Sequence, residues 1–301
     1  MRFVAHGKLL LTAEYAVLGG AKALAVPTRL GQSLEVIETG SSIQWKSLDH
    51  IGNVWYENEF NTITFAPNRL DEAGNRLQQL LVEIHALNPS CWKLSSGISF
   101  TTTLDFDRSW GLGSSSTLIS LLAQWASVNP YHLQQQVFGG SGYDIACATA
   151  QRALVYERTN PLEPKVTSVR FSPEFRSHLF FVYLNQKQDS QRAVAAFDKE
   201  KLTPSMIQEI DALTAAFLQE TSLEHFQKLV KQHEKIIGGL IGETPVQKRL
   251  FNDFNGTVKS LGAWGGDFVL ACGNDANTPT YFANKGYATC MGYDALINDA
   301  F

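Results

Sequence analysis

The sequence predicts an α+β protein built in two halves. Strand-like segments, apolar or alternating, are interspersed with segments of helical spacing along the whole chain. The composition changes at residues 159–164 (TNPLEP), which form the best candidate linker. A chain of 301 residues is long enough for two domains of ordinary size. We therefore expect one domain at 1–160 and a second at 161–301.

The first half opens with an apolar run, Phe3–Leu11, that suits a buried strand, and the helix-like segment Ala13–Leu18 follows it. Asn75–Leu87 and Ser114–Ala126 have the spacing of helices. Alternating apolar residues predict these further strands: Leu24–Thr39 with a break near Gly31, Ser42–Lys46, Val54–Phe60, Thr62–Phe65 and Ile98–Leu104.

The second half is richer in helical patterns. The predicted helices are Pro204–Glu220, Leu223–Ile237 and Thr244–Leu261. The predicted strands are Leu179–Leu184, Phe268–Cys272, Thr280–Ala283 and Tyr287–Met291.

Composition and charge exclude several classes of protein. Hydrophobic residues make up 44% and charged residues 18% of the chain, as in folded soluble proteins. A net charge of −4 without a Lys/Arg run argues against a nucleic-acid surface. No apolar stretch approaches the ~20 residues that span a bilayer, and the N-terminus does not have the apolar region of a signal peptide. The four cysteines form no C-x-x-C pair. We expect a cytoplasmic protein with neither a membrane nor a nucleic acid as partner.

The segment WGLGSSSTLISLL, residues 110–122, is the first that points to a ligand. Its glycines, Gly111 and Gly113, allow positive φ, so successive amide groups can converge on one anion. The serines add hydroxyl donors at the start of an apolar helix, where the helix dipole favours negative charge. A capped turn is the alternative, since the segment has neither the Gly-Lys-Ser/Thr of a P-loop nor a complete G-x-G-x-x-G.

Three other segments carry polar or glycine-rich patterns. Lys8 lies inside the apolar first strand, where it needs a partner, a cleft or an exposed edge. Asp144 follows the loop Gly139–Gly142 near a helix N-terminus, either as a functional carboxylate or as a plain cap. Residues 262–267 (GAWGGD) form another glycine cluster, which a tight turn would also explain.

Together and in this order, these segments resemble the GHMP kinase family, which includes galactokinase, homoserine kinase, mevalonate kinase and phosphomevalonate kinase. Residues 5–17 are similar to the first motif, A-P-G-K followed by three hydrophobic residues and x-G-E-(Y/H)-A-V, with His6 for Pro and Ala13 for Gly. Residues 111–116 nearly reproduce G-L-G-S-S-(A/S), and residues 141–146 match S-G-x-D-x-A. Residues 262–266 match G-A-G-G-G, with Trp264 in place of a glycine.

The resemblance implies an N-terminal domain like ribosomal protein S5 domain 2 and a C-terminal ferredoxin-like domain. It also implies ATP, with Mg²⁺ between its phosphates. Asp144 is implied to orient the acceptor hydroxyl, and Lys8 beside it to offset charge on the transferring phosphoryl group. Ser115 is implied to touch Mg²⁺. The phosphates are implied to bind at Gly111, Leu112, Gly113, Ser114, Ser115 and Ser116.

Two departures from the family pattern concern the metal and the acceptor. Mevalonate kinases have a Mg²⁺-binding glutamate about eleven residues before the aspartate, where this chain has Leu133-Gln134-Gln135-Gln136. Gln136 is either a neutral substitute or a solvated side chain. Trp264 either reshapes the pocket or points outward.

The acceptor is expected to be a small alcohol or phosphate. Ser-Gly-Tyr-Asp and Gly265-Gly266-Asp267 resemble phosphomevalonate kinase, whereas Asn185-Gln186-Lys187 resembles the N-T-K of mevalonate kinase. We predict phosphomevalonate, with mevalonate second; a sugar or amino-alcohol kinase, a non-catalytic binding protein and, less favoured, diphosphomevalonate decarboxylase are the alternatives, and a homodimer is left open. The acceptor residues predicted are Glu14, Tyr15, Ser141, Lys187, Arg192, Gly265, Gly266 and Asp267.

Overall fold

A computed structural model describes residues 1–92, 97–273 and 277–299. The strands are β1 (Arg2–Leu10), β2 (Ala23–Glu38), β3 (Ile43–Leu48), β4 (Val54–Phe60), β5 (Ile98–Leu104), β6 (Leu154–Glu157), β7 (Lys165–Ser168), β8 (Leu179–Tyr183), β9 (Gly256–Ser260), β10 (Phe268–Gly273) and β11 (Cys290–Gly292). The α-helices are α1 (Glu72–Leu87), α2 (Ser114–Ala126), α3 (Pro130–Val137), α4 (Tyr143–Thr149), α5 (Ser190–Ala196), α6 (Pro204–Gln219), α7 (Leu223–Ile241), α8 (Val246–Leu250), α9 (Thr278–Asn284) and α10 (Tyr293–Leu296). Short 3₁₀ turns lie at Ala16–Gly19, Pro89–Cys91, Arg176–His178 and Lys199–Lys201.

In the described part of the chain the strands form two sheets. The larger, seven-stranded sheet has the order β4-β3-β5-β2-β6-β7, with β1 paired to β2. Its strand pairs are antiparallel except for β3 and β5, which run parallel. The smaller sheet has the order β11-β8-β10-β9 and is antiparallel. The α+β prediction is confirmed.

The pairing of β1 with β2 explains how a lysine is accommodated in an apolar strand. The register shifts between His6 and Lys8: Gly7 alone stands opposite the three residues 28–30 of β2, so β2 bulges where the side chain of Lys8 follows on β1. β2 continues through Gly31 instead of breaking there, so one long strand replaces the two expected. A Cβ on Gly31 would lie 2.1 Å from the carbonyl oxygen of Ala5, so glycine permits the close approach of the two strands.

The helices that carry the glycine-serine loop and Asp144 both pack against β1. α2 and α4 also contact one another, so their first turns lie on the same side of the larger sheet. The buried face of α2, including Ile119, Leu122 and Trp125, fills the core under this sheet with residues of α1, β3 and β5. This packing holds the first turn of α2 in place, since burying each such side chain stabilises the fold by about 1.5–3 kcal/mol.

A second apolar core joins the two sheets. Leu9 and Leu24 of the larger sheet pack in the same cluster as Phe181 and Phe268 of the smaller one. The segment 159–164, expected to be a linker, is instead the loop between the paired strands β6 and β7. The predicted boundary at 160/161 would separate these two strands. Apart from β7, the strands of residues 1–160 form the larger sheet and those of residues 161–301 form the smaller one.

Several predicted elements are wrong. Residues 62–65 form a turn rather than a strand, because the side chain of Asn61 accepts hydrogen bonds from the amides of Ile63 and Thr64. The expected helix 244–261 divides into α8 and β9, and β9 is buried almost throughout, so it shows no alternation. Residues 280–283 belong to α9, and 287–291 contributes only its last two residues to β11.

Candidate active site

A cleft of about 800 Å³ opens between the first turns of α2 and α4 and the segments that follow β8 and β9. It brings together residues that lie far apart in the sequence. The predicted site residues that line it are Lys8, Gly111, Gly113, Ser114, Ser115, Ser116, Ser141, Asp144, Lys187 and Asp267.

The glycine-serine loop ends in a helix N-terminus without a side-chain cap. Gly113 is the N-cap of α2 at φ 94°, and it provides no side-chain oxygen to cap the first amides of the helix. Ser116 turns inward, with its hydroxyl donating to the carbonyl of Gly113 at 2.8 Å, whereas Ser115 is exposed. The first amides of a helix have no acceptor within it, so those of α2 are available to an anion in the cleft.

Gly111 is the point where the loop touches the C-terminal half of the chain. It has φ 67°, and a Cβ placed on it would lie 2.2–2.5 Å from the carboxyl atoms of Asp267. Its carbonyl accepts a hydrogen bond from the ammonium of Lys8 at 2.9 Å. Only glycine satisfies both the backbone conformation and this close approach.

Gly111→Ala is expected to weaken binding of an ATP analogue by about ten-fold or more, since the loop must shift to relieve the contact with Asp267. Gly40→Ala is the matched control, because Gly40 has nearly the same φ of 69° but no atom within 4 Å of its Cβ position. Calorimetric titration of both variants with AMPPNP measures the difference. Equal loss of affinity in the two variants would show that the crowding at Gly111 has no role.

Lys8 is fixed from both its backbone and its side chain. Its amide donates to the carbonyl of Leu112 at 3.0 Å, and its ammonium lies 5.8 Å from the centre of the Tyr143 ring. Burial opposes the charge, but the phenol oxygen of Tyr143 and the carboxyl groups of Asp267 and Asp144 outweigh it and raise the pKa of Lys8. Lys8 is therefore a cation held in the cleft at neutral pH.

Asp144 lies in the first turn of α4, where a carboxylate is favoured by the helix dipole. One carboxylate oxygen, Oδ1, accepts from the side-chain amide of Gln134 at 3.0 Å and from the backbone amide of Ile145 at 3.1 Å. These bonds orient the carboxylate while leaving Oδ2 for another partner.

Asp267 approaches the same place from the C-terminal half. Its Oδ1 accepts from the backbone amide of Gln188 at 3.0 Å. Burial raises the pKa of its carboxyl group, against the opposing effects of the Gln188 amide and of Lys8 and Lys187. Lys8 thus has Asp144 and Asp267 as acidic neighbours in one cleft.

Several predicted site residues lie elsewhere. Gln136 is exposed and Gln134, two residues earlier on α3, lines the cleft instead, because a helix turns by about 200° over two residues. Arg192 is exposed on α5 and does not line the cleft, nor does Gly266. Leu112 is buried, and its contribution is the carbonyl that accepts from the amide of Lys8.

A second, smaller cavity of about 290 Å³ contains two more of the predicted residues. Tyr15 and Gly265 line it, and the hydroxyl of Tyr15 donates to the carbonyl of Ala263 at 2.7 Å. Trp264 also lines this cavity. It is 3% exposed, adopts φ 59° and packs against Gly238. The tryptophan therefore does not point outward to solvent, and it does not line the larger cleft.

Glu14, predicted as an acceptor residue, does not line the cleft. It is fully buried and paired with Lys259, which is also fully buried. His233 and Glu234 of α7 complete this buried cluster. Burial is the largest influence on its carboxyl groups and raises the pKa of Glu14 and that of Glu234, the latter to about 7.

Glu234→Gln is expected to change how stability depends on pH. Between about pH 4.5 and pH 7 the native Glu234 keeps a proton that the unfolded chain has released, so its contribution to stability falls as pH rises. The wild type should lose up to about 3 kcal/mol relative to the variant between pH 4.5 and 8. Urea unfolding of both proteins at these two pH values measures this. Burial lowers the pKa of His233, so its own contribution to stability rises with pH. Because His233 is present in both proteins, this contribution cancels when they are compared. Parallel pH profiles would refute the prediction.

Sequence reasoning missed other residues of the cleft. Gln134 and Tyr143 lie close in the sequence to predicted residues, and this closeness is the signal that could have found them. Gln134 is two residues before Gln136 on the same helix, and Tyr143 lies between Gly142 and Asp144. Arg76 and Arg108 also line the cleft, and the guanidinium of Arg108 lies 3.5 Å from the centre of the Trp55 ring. No pattern in their sequence surroundings indicated this.

The donor set fits a metal ion bound chiefly through phosphate. Among the described residues no group of three or more His, Cys, Asp or Glu side chains could hold a metal ion by itself. Hydroxyls and single carboxylates do line the cleft, at Ser114, Ser115, Asp144 and Asp267. Mg²⁺ commonly takes one or two such protein ligands together with substrate phosphates and water.

Comparison with solved structures shows the same fold in small-molecule kinases of the GHMP family. A mevalonate kinase matches with a TM-score of 0.68 at 18% identity, over 99% of this chain and 100% of that one. Phosphomevalonate kinase of Streptococcus pneumoniae, solved with phosphomevalonate and AMPPNP, matches with a TM-score of 0.69 at 17% identity over 95% of each chain. Lactococcus lactis galactokinase with bound galactose matches with a TM-score of 0.66 at 12% identity, over 99% of this chain and 94% of that one.

The chain thus has the GHMP kinase fold along nearly its whole length. Searches by sequence add nothing, since neither a protein-family model nor a curated protein matches it. Every helix in the described ranges is too short or too polar to cross a bilayer.

Proposed function

We propose that the protein is an ATP- and Mg²⁺-dependent small-molecule kinase of the GHMP type. The observation that carries this proposal is the meeting of Lys8, Asp144 and the uncapped N-terminus of α2 in one cleft. These groups come from three separate segments of the chain. If the glycine-serine loop were only a capped turn, neither Lys8 nor Asp144 would need to lie beside it. The fold shared with kinases, one of them solved with AMPPNP, supports the same conclusion.

The residues divide the work of phosphoryl transfer between them. The amides of Gly113 to Ser116 hold the transferring end of the nucleotide, and the Lys8 ammonium offsets the negative charge that spreads over the phosphoryl oxygens. Asp144 orients the acceptor oxygen that attacks the transferring phosphorus, and it takes the proton where that oxygen is a hydroxyl, as the new P–O bond forms and the bond to ADP breaks. Gln134 keeps the Asp144 carboxylate oriented through its 3.0 Å hydrogen bond. Ser115, with Ser114 next to it, would supply the protein ligand of a Mg²⁺ ion, which would neutralise phosphate charge when bound.

Phosphomevalonate is the acceptor we propose. Its phosphate, which supplies the attacking oxygen, needs a cation in the cleft, and Lys187 lines the cleft with its ammonium 3.2 Å from the Arg108 carbonyl. The motifs around Asp144 and Asp267 resemble phosphomevalonate kinase, and that enzyme is among the structures with this fold. Mevalonate is the second candidate, because mevalonate kinases share the fold equally well.

A coupled ADP-release assay with Mg-ATP tests the proposal against phosphomevalonate, mevalonate, homoserine and galactose. We expect turnover with phosphomevalonate and little with the other three. Turnover with mevalonate alone would replace the proposed acceptor, and turnover with galactose or homoserine would remove the isoprenoid assignment. AMPPNP binding without turnover on any member of a wider panel of sugars and alcohols would favour a binding protein instead.

Lys187→Met is expected to raise KM for phosphomevalonate by about ten-fold or more while leaving KM for ATP nearly unchanged, because it removes the acceptor's cation. Arg192→Met is the matched control, since Arg192 is a nearby exposed cation that does not line the cleft. Steady-state kinetics of both variants decide the point. A comparable rise in KM for ATP would place Lys187 on the nucleotide instead.

A further inference from the structure

The buried cluster around Glu14 joins the segment after β1 to the smaller sheet. The Lys259 ammonium, on β9, donates to Oε1 of Glu14 and to the carbonyl of Ser260 at 2.8 Å. Both side chains of the pair are fully buried. Neither lines the candidate active site, so the proposed chemistry does not use them directly.

The same cluster fixes a strained piece of backbone. Ala13 and Tyr15, on either side of Glu14, have φ values of 64° and 62°, which residues with side chains rarely adopt. The amide of Ala13 donates to Nε2 of His233 at 2.9 Å, and burial, which lowers the pKa of this histidine, keeps it neutral and able to accept. Backbone strain of this kind persists only where the surroundings over-determine it.

Stability alone is a weak reason for such a pair. Taking two charges out of water costs as much as their attraction returns, and apolar residues of similar volume are often equally stable in their place. An apolar pair, unlike a hydrogen-bonded ion pair, does not fix the relative orientation of the two segments that carry it. The Lys259 ammonium points to two acceptors at once, one on each segment, and so sets the position of one segment against the other.

The two segments held together in this way lead to the two sides of the cleft. Glu14 follows β1, which carries Lys8, and Lys259 lies on β9, which continues through residues 261–266 to Asp267. Lys8 and Asp267 then meet at Gly111. A second link, from the hydroxyl of Tyr15 to the carbonyl of Ala263, joins the same two segments nearer the cleft.

We propose that Glu14 and Lys259 are positioning residues, which lock the segment after β1 against β9 and so place Lys8 and Asp267 correctly around the glycine-serine loop. The kinetic readout of this proposal rests on the proposed kinase function. The structural readout does not.

Three variants test it: Lys259→Met, the double variant Glu14→Gln with Lys259→Met, and Lys22→Met. The single change at Lys259 leaves the Glu14 carboxyl buried without its partner, and we expect a fall in Tm of about 10 °C. The double variant lacks both members of the buried pair and should regain most of that loss. Its KM for ATP and acceptor should nevertheless stay raised by about ten-fold to a hundred-fold, because methionine cannot orient the two segments. Lys22 is half-exposed and pairs with Asp211, so its loss should change neither Tm nor KM.

Hydrogen exchange measured by mass spectrometry separates this inference from the proposed function. In the double variant, amides of 11–16 and 261–267 should exchange at least about ten-fold faster than in the wild type, with α1 unchanged as an internal reference. Recovery of Tm, KM and exchange protection together would mean a merely structural pair and would overturn the proposal. A wild type that neither binds AMPPNP nor turns over any acceptor would overturn the kinase function, while the exchange result still decides the positioning role.

Discussion

Asp144→Asn is expected to lower turnover by about 10²–10⁴-fold, the usual contribution of a positioned general base. Asparagine has the same shape, and its carbonyl oxygen can still accept from Gln134 and from the amide of Ile145. The fold and the binding of AMPPNP should therefore be nearly unchanged. What the variant lacks is the negative charge and basicity that orient the attacking acceptor oxygen and accept its proton where it carries one. Single-turnover measurements with saturating ATP and acceptor isolate this step from binding.

Asp189→Asn is the matched control for that experiment. Asp189 also lines the cleft, but its side chain accepts from the amide of Arg192 as the N-cap of α5, a role that asparagine fills equally well. Its turnover should stay within about two-fold of wild type. Near wild-type turnover in a folded Asp144→Asn protein would remove Asp144 from the mechanism and leave the cleft as a binding site.

The sequence predicted the parts of the site that depend on local backbone chemistry. Glycines at 111 and 113 indicated positive φ, and the serines after them indicated a helix start, and both are present. Ala13 and Trp264, which stand where the family motifs have glycine, also have positive φ, at 64° and 59°, a conformation that glycine adopts most readily. In these cases the residue pattern predicts the structure because the backbone conformation itself favours those residue types.

The parts that failed depend on contacts between distant segments. Glu14 has the same sequence neighbours whether its carboxylate faces a substrate or Lys259, which lies 245 positions along the chain. Lys259 itself stood within a segment expected to be helical, because a strand buried almost throughout shows no alternation. The choice between Gln134 and Gln136 depended on the rotation of α3 about its axis, which adjacent identical residues cannot indicate.

Lys8→Met should produce the second large effect, a fall in kcat/KM of about 10²–10³-fold. Methionine keeps the length of the side chain, and it removes the only cation of β1 that lines the cleft within the described residues. The positive charge acts mainly on the transition state, where phosphoryl oxygens gather charge in a partly dry site. The loss should therefore appear in kcat more than in KM for ATP.

Lys8→Arg separates the charge from its placement. The Lys8 side chain runs beside Gly113, where an added Cβ would lie 3.1 Å from its Cγ, and its ammonium is 2.9 Å from the Gly111 carbonyl. The planar and bulkier guanidinium cannot occupy this space unchanged, so arginine should recover part of kcat while raising KM for ATP. The argument requires the methionine variant to be worse than the arginine variant in kcat, with both retaining the wild-type Tm within a few degrees. If methionine and arginine cost the same in kcat, the charge of Lys8 does not act on the transferring group, and its hydrogen bond to Gly111 is its whole contribution.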